Sequence, residues 1–419
     1  DMNAESGTRG RVLLEGGARF EHRPGLLSRL IAPTFQRMVD RVDAGLACGS
    51  ILAHLPDNTT RLLGGRAPGF DAEVTIHDWR AMMRLAFNGS VGWYQAWEAG
   101  EWESPDAVQI FANFNDNAKS LGSTARAKGP FRWAAAFAHW LNRNSKSGSA
   151  RNIHAHYDLG NDFYTQWLDP TMSYSSAIFE GERRSADDLE AAQHRKWEQL
   201  AKRLGNPETL LEIGCGWGAL ANHFAESGSQ VTAISLSDEQ LQWARDRHNL
   251  SIQFRKQDYR DVDAQFDAIV SVEMVEAVGR DYWPSYFDCI ARNLKPGGRA
   301  AIQFISFDDE LFDAYAAGAD FIQAYIFPGG LLIRESEFRK LAAERGLKWE
   351  DQHDFAVDYA DTLKIWRENF DRAAADGSLP AGFDERFTRL GRYYLIYCEG
   401  GFRAGGIDVS QVTLVKDAG

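Results

Sequence analysis

The sequence predicts an α/β protein with a doubly wound, parallel sheet, preceded by a small α+β domain. From residue 151 onward, stretches with strand character alternate with amphipathic helical stretches, which is typical of a parallel sheet covered by helices. The first of these strands ends in a glycine-rich turn that leads directly into a helix. The first 117 residues show short strands followed by helices instead. At about 150 residues per domain, 419 residues are enough for two or three domains.

Composition and charge exclude several classes of protein. The formal net charge of −13 argues against a surface that wraps nucleic acid. The four cysteines are far apart and no CxxC pair occurs, so neither a disulfide framework nor a metal site is predicted. No secretory signal is visible, and no apolar run reaches the ~20 residues of a spanning helix. We therefore expect a cytoplasmic protein that meets a membrane only at its surface.

Residues 1–117 are predicted to form the small α+β domain. Residues 47–63 indicate two short strands around a Pro-Asp-Asn turn, and residues 70–77 alternate like a third strand. A helix begins at Asp78, and helical spacing continues to about residue 117. The domain contains no convergent nucleophile, base or metal set. Its expected role is therefore lipid contact, dimerisation into a homodimer, or bracing of the larger domain.

Residues 118–150 are predicted to be a basic, aromatic linker. The wider stretch 117–157 carries seven Lys and Arg residues and no Asp or Glu. Within it, residues 130–141 have the spacing of a short amphipathic helix with basic flanks. Two interpretations stay open. The helix docks on the catalytic domain with its charges solvated, or it binds a membrane surface, where each basic residue contributes roughly 1 kcal/mol near anionic headgroups.

Residues 151–419 are predicted to be the catalytic domain, and its elements follow one another in regular alternation. The predicted helices are 189–204, 218–228, 238–249 and 282–298, the last one ending at a glycine pair. The predicted strands are 209–213, 230–237, 252–258, 266–273 and 299–306.

The strand ends define a ligand crevice, because ligands of such sheets bind outside the carboxyl ends of the strands. Gly214, Gly216 and Gly218 allow the backbone to approach a ligand closely. Their spacing differs from the GxGxxG of dinucleotide enzymes, and the turn lacks the lysine of a phosphate loop. The polar end of strand 2 and the Asp258-Tyr259 pair after strand 3 suit an adenosyl group better than phosphates.

Longer motifs carry a resemblance to a known family. LLEIGCGWG, residues 210–218, resembles the first motif of S-adenosylmethionine-dependent methyltransferases. HYDLGNDFYTQWLDPTMSYSSAIF, residues 156–179, resembles the signature of the cyclopropane fatty acid synthase family, and similar matches occur at 325–330, 358–366 and 394–411. The resemblance implies a class I methyltransferase (Rossmann-like) fold with helical insertions. It also implies methyl transfer from S-adenosyl-L-methionine to the double bond of an unsaturated phospholipid acyl chain, at the inner face of the membrane.

The resemblance also assigns candidate site residues. The residues expected to bind the cofactor are Tyr174, Ser175, Gly214, Gly216, Gly218, Ser235, Gln240, Asp258 and Tyr259. In the family, a bicarbonate ion is thought to act as base, held by Glu, His and Tyr side chains and by backbone near a Cys. Glu276, Ile305 and Tyr359 occupy matching places, but Ser176 replaces the Cys and Gln303 replaces the His. Glutamine donates a hydrogen bond to an anion but carries no charge, which puts bicarbonate binding in doubt.

The sequence therefore leaves the product open. A cyclopropane forms if a weakly held bicarbonate removes a proton from the new methyl group. A methyl-branched or further unsaturated chain forms if the proton is lost elsewhere, and Glu276 itself is then a candidate base. Two alternative functions remain: desaturase-like proton abstraction on a methylated chain in furan fatty acid synthesis, and non-catalytic lipid binding.

Overall fold

The structure is a computed structural model that describes residues 32–122, 159–317, 320–327 and 330–419. The amphipathic helix predicted at 130–141, with most of the basic linker, lies outside the described residues. None of the described helices has both the length and the apolar character needed to cross a lipid bilayer.

The amino-terminal domain consists of helices around a small sheet. The sheet has the order β2-β1-β3-β4, in which β1 pairs antiparallel with β2 and parallel with β3. The three predicted strands are present, and the short β4 was not predicted. Its elements are α1 (Ala32–Gly45), β1 (Ser50–His54), β2 (Thr60–Gly64), β3 (Asp71–Ile76), α2 (Arg80–Glu98), β4 (Trp102–Glu103), α3 (Ala107–Asp116) and α4 (Ala118–Leu121).

Helix α2 is kinked at Gly89, where the backbone is non-helical (φ 56°, ψ −131°). Glycine adopts this conformation without the steric cost that a Cβ would impose. The kink separates the two halves of the predicted helical stretch.

The large domain is built on a seven-stranded sheet with the order β10-β11-β9-β8-β5-β6-β7. Strand β11 runs antiparallel to both of its neighbours, whereas β5 to β9 pair in parallel. The first strand lies in the middle of the sheet, so the predicted doubly wound sheet is confirmed. The strands are β5 (Thr209–Ile213), β6 (Gln230–Ser235), β7 (Gln253–Lys256), β8 (Phe266–Val272), β9 (Leu294–Phe307), β10 (Leu347–Asp354) and β11 (Ile407–Lys416).

Helices cover both faces of this sheet and extend over its carboxyl edge. A π-helical turn (Ile322–Ile326) and 3-10 turns (Tyr259–Asp261, Val275–Ala277, Arg280–Tyr282) complete the edge. The helices are α5 (Asn161–Tyr164), α6 (Ala186–Leu204), α7 (Ala219–Glu226), α8 (Asp238–Arg247), α9 (Trp283–Asn293), α10 (Phe312–Ala317), α11 (Glu335–Ala343), α12 (Ala356–Ala375) and α13 (Glu385–Ala404).

The boundary predicted between the helix 282–298 and the strand 299–306 is wrong. The helix predicted to run to residue 298 ends at Asn293, and Leu294 already has extended backbone (φ −86°, ψ 134°) and begins β9. Pro296 explains the difference, because proline disfavours helical backbone in the preceding residue and lacks the N–H that a helix needs.

The two domains share an apolar core. Helix α13 crosses α3 so closely that a Cβ on Gly400 would lie 2.5 Å from the Cβ of Phe111. The rings of Phe321 and Tyr393 from the large domain pack at 4.8 and 4.9 Å from the ring of Tyr94 in the amino-terminal domain. The amino-terminal domain is thus held against the edge of the large domain that carries the crevice.

Candidate active site

A cavity of about 700 Å³ lies at the carboxyl ends of β5, β6, β8 and β9 and reaches the amino-terminal domain. The strand ends contribute mainly polar groups and exposed backbone. Helices α2 and α3 contribute an apolar wall, which consists of Leu85, Trp93, Phe111 and Phe114. One continuous space therefore connects a polar crevice with an apolar chamber.

The glycine-rich turn after β5 forms the floor of the polar crevice. Gly214, Gly216 and Gly218 all have positive φ, at 76°, 53° and 91°. A Cβ on Gly218 would lie 2.8 Å from the Cβ of Ala244, so only glycine fits there. A Cβ on Gly216 would meet no atom within 4 Å, because this residue faces open space. The backbone at Gly216 is therefore directly accessible to a ligand.

Two unpaired polar atoms border the crevice. Glu212 Oε1 and Gln240 Nε2 are buried and have no hydrogen-bond partner in the described part of the chain. The hydroxyl of Ser235 donates to Gln240 Oε1 at 3.4 Å, so the amide oxygen of Gln240 is engaged and its N–H groups are free. Burial raises the pKa of Glu212 to about 8. Because buried polar groups are normally paired, these atoms mark positions for polar groups of a ligand.

Asp258 and Tyr259 follow β7 at the same crevice. Arg260 fixes the Asp258 carboxylate by an ion pair of 2.7 Å, and the Arg260 N–H donates to it at 2.9 Å. Tyr259 is 4% exposed, and its hydroxyl has no hydrogen-bond partner among the described residues. The two residues form a fixed wall with one free hydroxyl.

The segment before α6 forms the opposite wall and introduces a buried lysine that sequence reasoning missed. Lys196 is 2% exposed, and its Nζ donates to the hydroxyl of Ser175 at 2.6 Å. Burial lowers the pKa of Lys196 to about 8, while the carboxylates of Glu273, Asp169 and Glu212 act in the opposite direction. Lys196 therefore places a positive charge near Glu273, Asp169 and Glu212.

A second missed residue, Glu273, lies at the centre of the site. Its carboxylate accepts hydrogen bonds from Ser176 N at 2.8 Å, from Gln303 Nε2 at 2.7 Å and from the Tyr359 hydroxyl at 2.5 Å. Its backbone has positive φ (49°), which is costly for a residue with a Cβ. Glu273 borders the cavity, so the strained backbone directs a carboxylate to the wall of the site.

Ser176 and Gln303 contact Glu273 instead of the cavity. Both were expected beside a bound anion, but both are fully buried at 0% exposure and neither borders the cavity. Their N–H groups instead donate to Glu273, which lies between them and the open space. Gln411 donates to Gln303 Oε1 at 3.0 Å and thereby engages the amide oxygen, leaving the NH₂ group for Glu273.

Glu276 has a different environment. Its Oε1 accepts from the Ile305 N–H, and its Oε2 has no hydrogen-bond partner among the described residues. Burial, together with the nearby charge of Glu273, raises the pKa of Glu276 to about 8. Burial also raises the pKa of Glu273, but Tyr359, Lys196, Ser176 and Gln303 all lower it. Of the two carboxyl groups, Glu273 has the surroundings that favour the ionised form.

All the other predicted site residues border the one cavity. They are Tyr174, Ser175, Gly214, Gly216, Gly218, Ser235, Gln240, Asp258, Tyr259, Glu276, Ile305 and Tyr359. A signal for Glu273 was available, because the end of the fourth predicted strand carries two carboxylates in the phrase VEMVE. Lys196 had no comparable signal, since it lies within an ordinary amphipathic helix.

The strand order, the glycine turn and the unpaired polar atoms define a class of protein. A seven-stranded sheet with one reversed strand and a glycine-lined crevice at its first strand is the architecture of the class I, S-adenosylmethionine-dependent methyltransferases. The unpaired Gln240 and Glu212 atoms and the open backbone at Gly216 fit the hydroxyl and amino groups of this cofactor.

Comparisons with known proteins specify the family. The family described as mycolic acid cyclopropane synthetase matches residues 144–412. The tuberculostearic acid methyltransferase UfaA1 of Mycobacterium tuberculosis is 36% identical over 80% of this chain and 81% of its own. The cyclopropane-fatty-acyl-phospholipid synthase of Escherichia coli is 34% identical over 84% of this chain and 90% of its own.

A solved structure gives the same result. The mycolic acid cyclopropane synthase CmaA1, in complex with SAH and CTAB, superposes with a TM-score of 0.58 and is 29% identical over 64% of this chain and 98% of its own. The chain belongs to the mycolic acid cyclopropane synthetase family. The predicted fold, family and enzyme class are confirmed: it is an S-adenosylmethionine-dependent methyltransferase.

Proposed function

We propose that this protein methylates a double-bond carbon in an unsaturated acyl chain of a membrane phospholipid. The observation that carries the proposal is the single cavity that joins the glycine turn to an apolar chamber and has Glu273 and Glu276 in its wall. A crevice for a small polar cofactor alone would not need the apolar extension. An acyl chain occupies such a chamber through burial of its methylene groups.

The chemistry requires both parts of the cavity. The cofactor supplies a methyl group on a positively charged sulfonium. Gly216, Ser235 and Gln240 would hold the cofactor in the crevice, and the apolar wall would hold the alkene. An alkene is a weak nucleophile, so the apolar wall must align it and exclude water that would capture the developing cation.

We further infer that the amino-terminal domain forms part of the acyl-binding site. Leu85 and Phe114 border the same cavity as the catalytic strand ends. At the same end, Asp320 accepts hydrogen bonds from Ser90 at 3.0 Å and from Tyr397 at 2.5 Å, which ties α2 to the large domain. This arrangement favours lipid contact over a purely bracing role for the domain.

A membrane-bound substrate would also explain the basic and aromatic composition of the linker. Residues 118–150 carry basic and aromatic residues without a carboxylate. We infer that this stretch holds the protein at an anionic membrane, peripheral to its inner face, where attraction to headgroups brings the cavity near its substrate.

The catalytic proposal is tested with vesicles of monounsaturated phosphatidylglycerol and methyl-labelled S-adenosylmethionine. We expect label in the acyl chains, and mass spectrometry of these chains distinguishes a cyclopropane from a methyl-branched or further unsaturated product. Vesicles of the saturated lipid are the matched control and should stay unlabelled. Label that remains entirely in the cofactor would defeat the proposal.

The membrane role is tested by co-sedimentation with anionic vesicles at low and high salt. Binding should weaken at high salt, because salt screens charges beyond about 10 Å at 0.1 M. The triple variant K128E/R132E/R143E should bind more weakly. A variant with the same change in net charge, K202E/K340E/K348E, is the control and should bind more tightly than the first. Equal sedimentation of the two variants would contradict a specific role of the linker.

A further inference from the structure

Glu273 is a carboxylate that nothing in the predicted chemistry uses, although it lies at the centre of the site. It borders the cavity, and no basic side chain is paired with it in the described residues. A residue with positive φ and a carboxylate without an ion-pair partner is costly, so a structural role alone explains it poorly.

The hydrogen bonds of Glu273 leave room for one more. Oε2 accepts two hydrogen bonds, from Ser176 and Gln303, whereas Oε1 accepts one, from Tyr359. A carboxylate offers about four acceptor positions, so one position remains on Oε1. Three donors hold the group in place as an anion, and the fourth position is available to a proton.

The charged groups around Glu273 and Glu276 favour different protonation states of the two carboxyl groups. Lys196 in α6 favours the anion of Glu273, and the Tyr359 hydroxyl in α12 donates to it. Glu276 receives one backbone donor and faces the negative charge of Glu273. Two neighbouring carboxyl groups with such unequal surroundings divide into an anion and a neutral acid.

We propose that Glu273 is the proton acceptor of the reaction. This assignment rests on the proposed methylation of an acyl chain. Methyl transfer uses the electron pair of the double bond and leaves a positive charge on the neighbouring carbon. A C–H bond of the new methyl group then breaks and its electron pair closes a cyclopropane, or a C–H bond on a chain carbon adjacent to the charge breaks and its electron pair forms the double bond of a branched alkene. In either case the proton goes to Glu273 Oε1.

The three donors also predict what the site becomes without the side chain. Truncation of Glu273 would leave Ser176 N, Gln303 Nε2 and the Tyr359 hydroxyl pointing at a space with the shape of a small carboxylate. Formate or bicarbonate should bind in this space and act as base. The unmodified protein should need neither of them, because its own carboxylate fills the position.

The variants E273G and E273Q test the assignment on vesicles of monounsaturated phosphatidylglycerol. Glycine suits a backbone with positive φ, and glutamine keeps the volume but cannot accept the proton. Both should lose between about a hundredfold and ten-thousandfold in turnover, the range of general-base catalysis. Formate or bicarbonate should restore E273G but not E273Q. Calorimetry should show that both variants bind S-adenosylmethionine as the unmodified protein does.

Controls distinguish loss of the base from loss of folding and from failure of the proposed function. D351G places glycine at another exposed position with positive φ (53°) remote from the cavity, and its turnover should not change. Formate should raise the melting temperature of E273G and leave that of D351G unchanged, because only a protein with a binding site is stabilised. If E273Q keeps wild-type turnover, or E273G binds cofactor but is not rescued, the assignment is wrong. If the unmodified protein labels no lipid, the proposed function itself fails.

Discussion

Replacement of Glu276 by glutamine should change how the stability of the protein depends on pH. Burial and the charge of Glu273 raise the pKa of Glu276 to about 8 from the usual 4.5. Because the folded-state pKa lies above the unfolded-state pKa, the stability that the protonated group contributes is present below about 4.5 and is lost as the pH rises through about 8. Glutamine does not titrate, so E276Q escapes this loss.

The magnitude follows from the two pKa values. Each pKa unit corresponds to about 1.4 kcal/mol, and between about pH 5.5 and about pH 8.5 the loss amounts to about 3 kcal/mol. The free energy of unfolding of E276Q, measured relative to that of the unmodified protein, should therefore increase by about 3 kcal/mol over this interval. Glu212, whose pKa shift comes from burial, Lys196 and the backbone of Ala221, titrates in both proteins and cancels in the comparison.

Urea unfolding at the two pH values measures this difference. E182Q, which replaces an exposed glutamate on the surface, is the control, and its difference from the unmodified protein should be the same at both pH values. A pH-independent difference for E276Q would mean that Glu276 is already ionised in the folded protein. The division into a neutral Glu276 and an anionic Glu273 would then be wrong.

Three further changes have expected outcomes. Y359F removes the donor that orients the Glu273 carboxylate and favours its ionised form, and because misplacement of a reacting group costs up to about a hundredfold, turnover should fall roughly tenfold to a hundredfold while calorimetric cofactor binding stays unchanged. G218A forces a Cβ to within 2.8 Å of Ala244 and should weaken cofactor binding in the same calorimetric titration; an equal loss in G377A, where a Cβ has open space, would contradict this. F114A enlarges the apolar chamber and should raise the relative rate on longer acyl chains in a competition assay, whereas L62A, at an exposed leucine of the same domain, should not.

The sequence predicted the sheet and the cofactor crevice because both depend on local patterns. Alternation of strands and helices predicts a doubly wound sheet. The positive φ angles at Gly214, Gly216 and Gly218 require glycine whatever distant residues pack nearby. The position of Glu273 depends on contacts that local patterns do not contain. Its partners lie 97, 30 and 86 residues away along the chain, at Ser176, Gln303 and Tyr359.

The extent of the cavity could not be predicted from the sequence for a similar reason. In the sequence, the apolar side chains of α2 and α3 have the pattern of ordinary core residues of a small domain. They border the cavity because the amino-terminal domain packs on the large domain, in part through α13 against α3, where the absence of a side chain at Gly400 permits a close approach. The close crossing of α13 and α3 thus helps to hold a second domain at the site.

The proposed role of Glu273 as proton acceptor links the position of this carboxylate to the extent of the cavity. The Glu273 carboxylate is fixed by three hydrogen bonds and by its own backbone. The proton that is lost is then the one that the bound acyl chain presents to Oε1. The position of the acyl chain depends on the chamber wall, part of which is Phe114 of the amino-terminal domain. With Glu273 as the proposed base, we expect the choice between ring closure and a branched alkene to depend on a strand end of one domain and on a helix of the other, although of these two only the strand end contributes an ionisable group to the cavity.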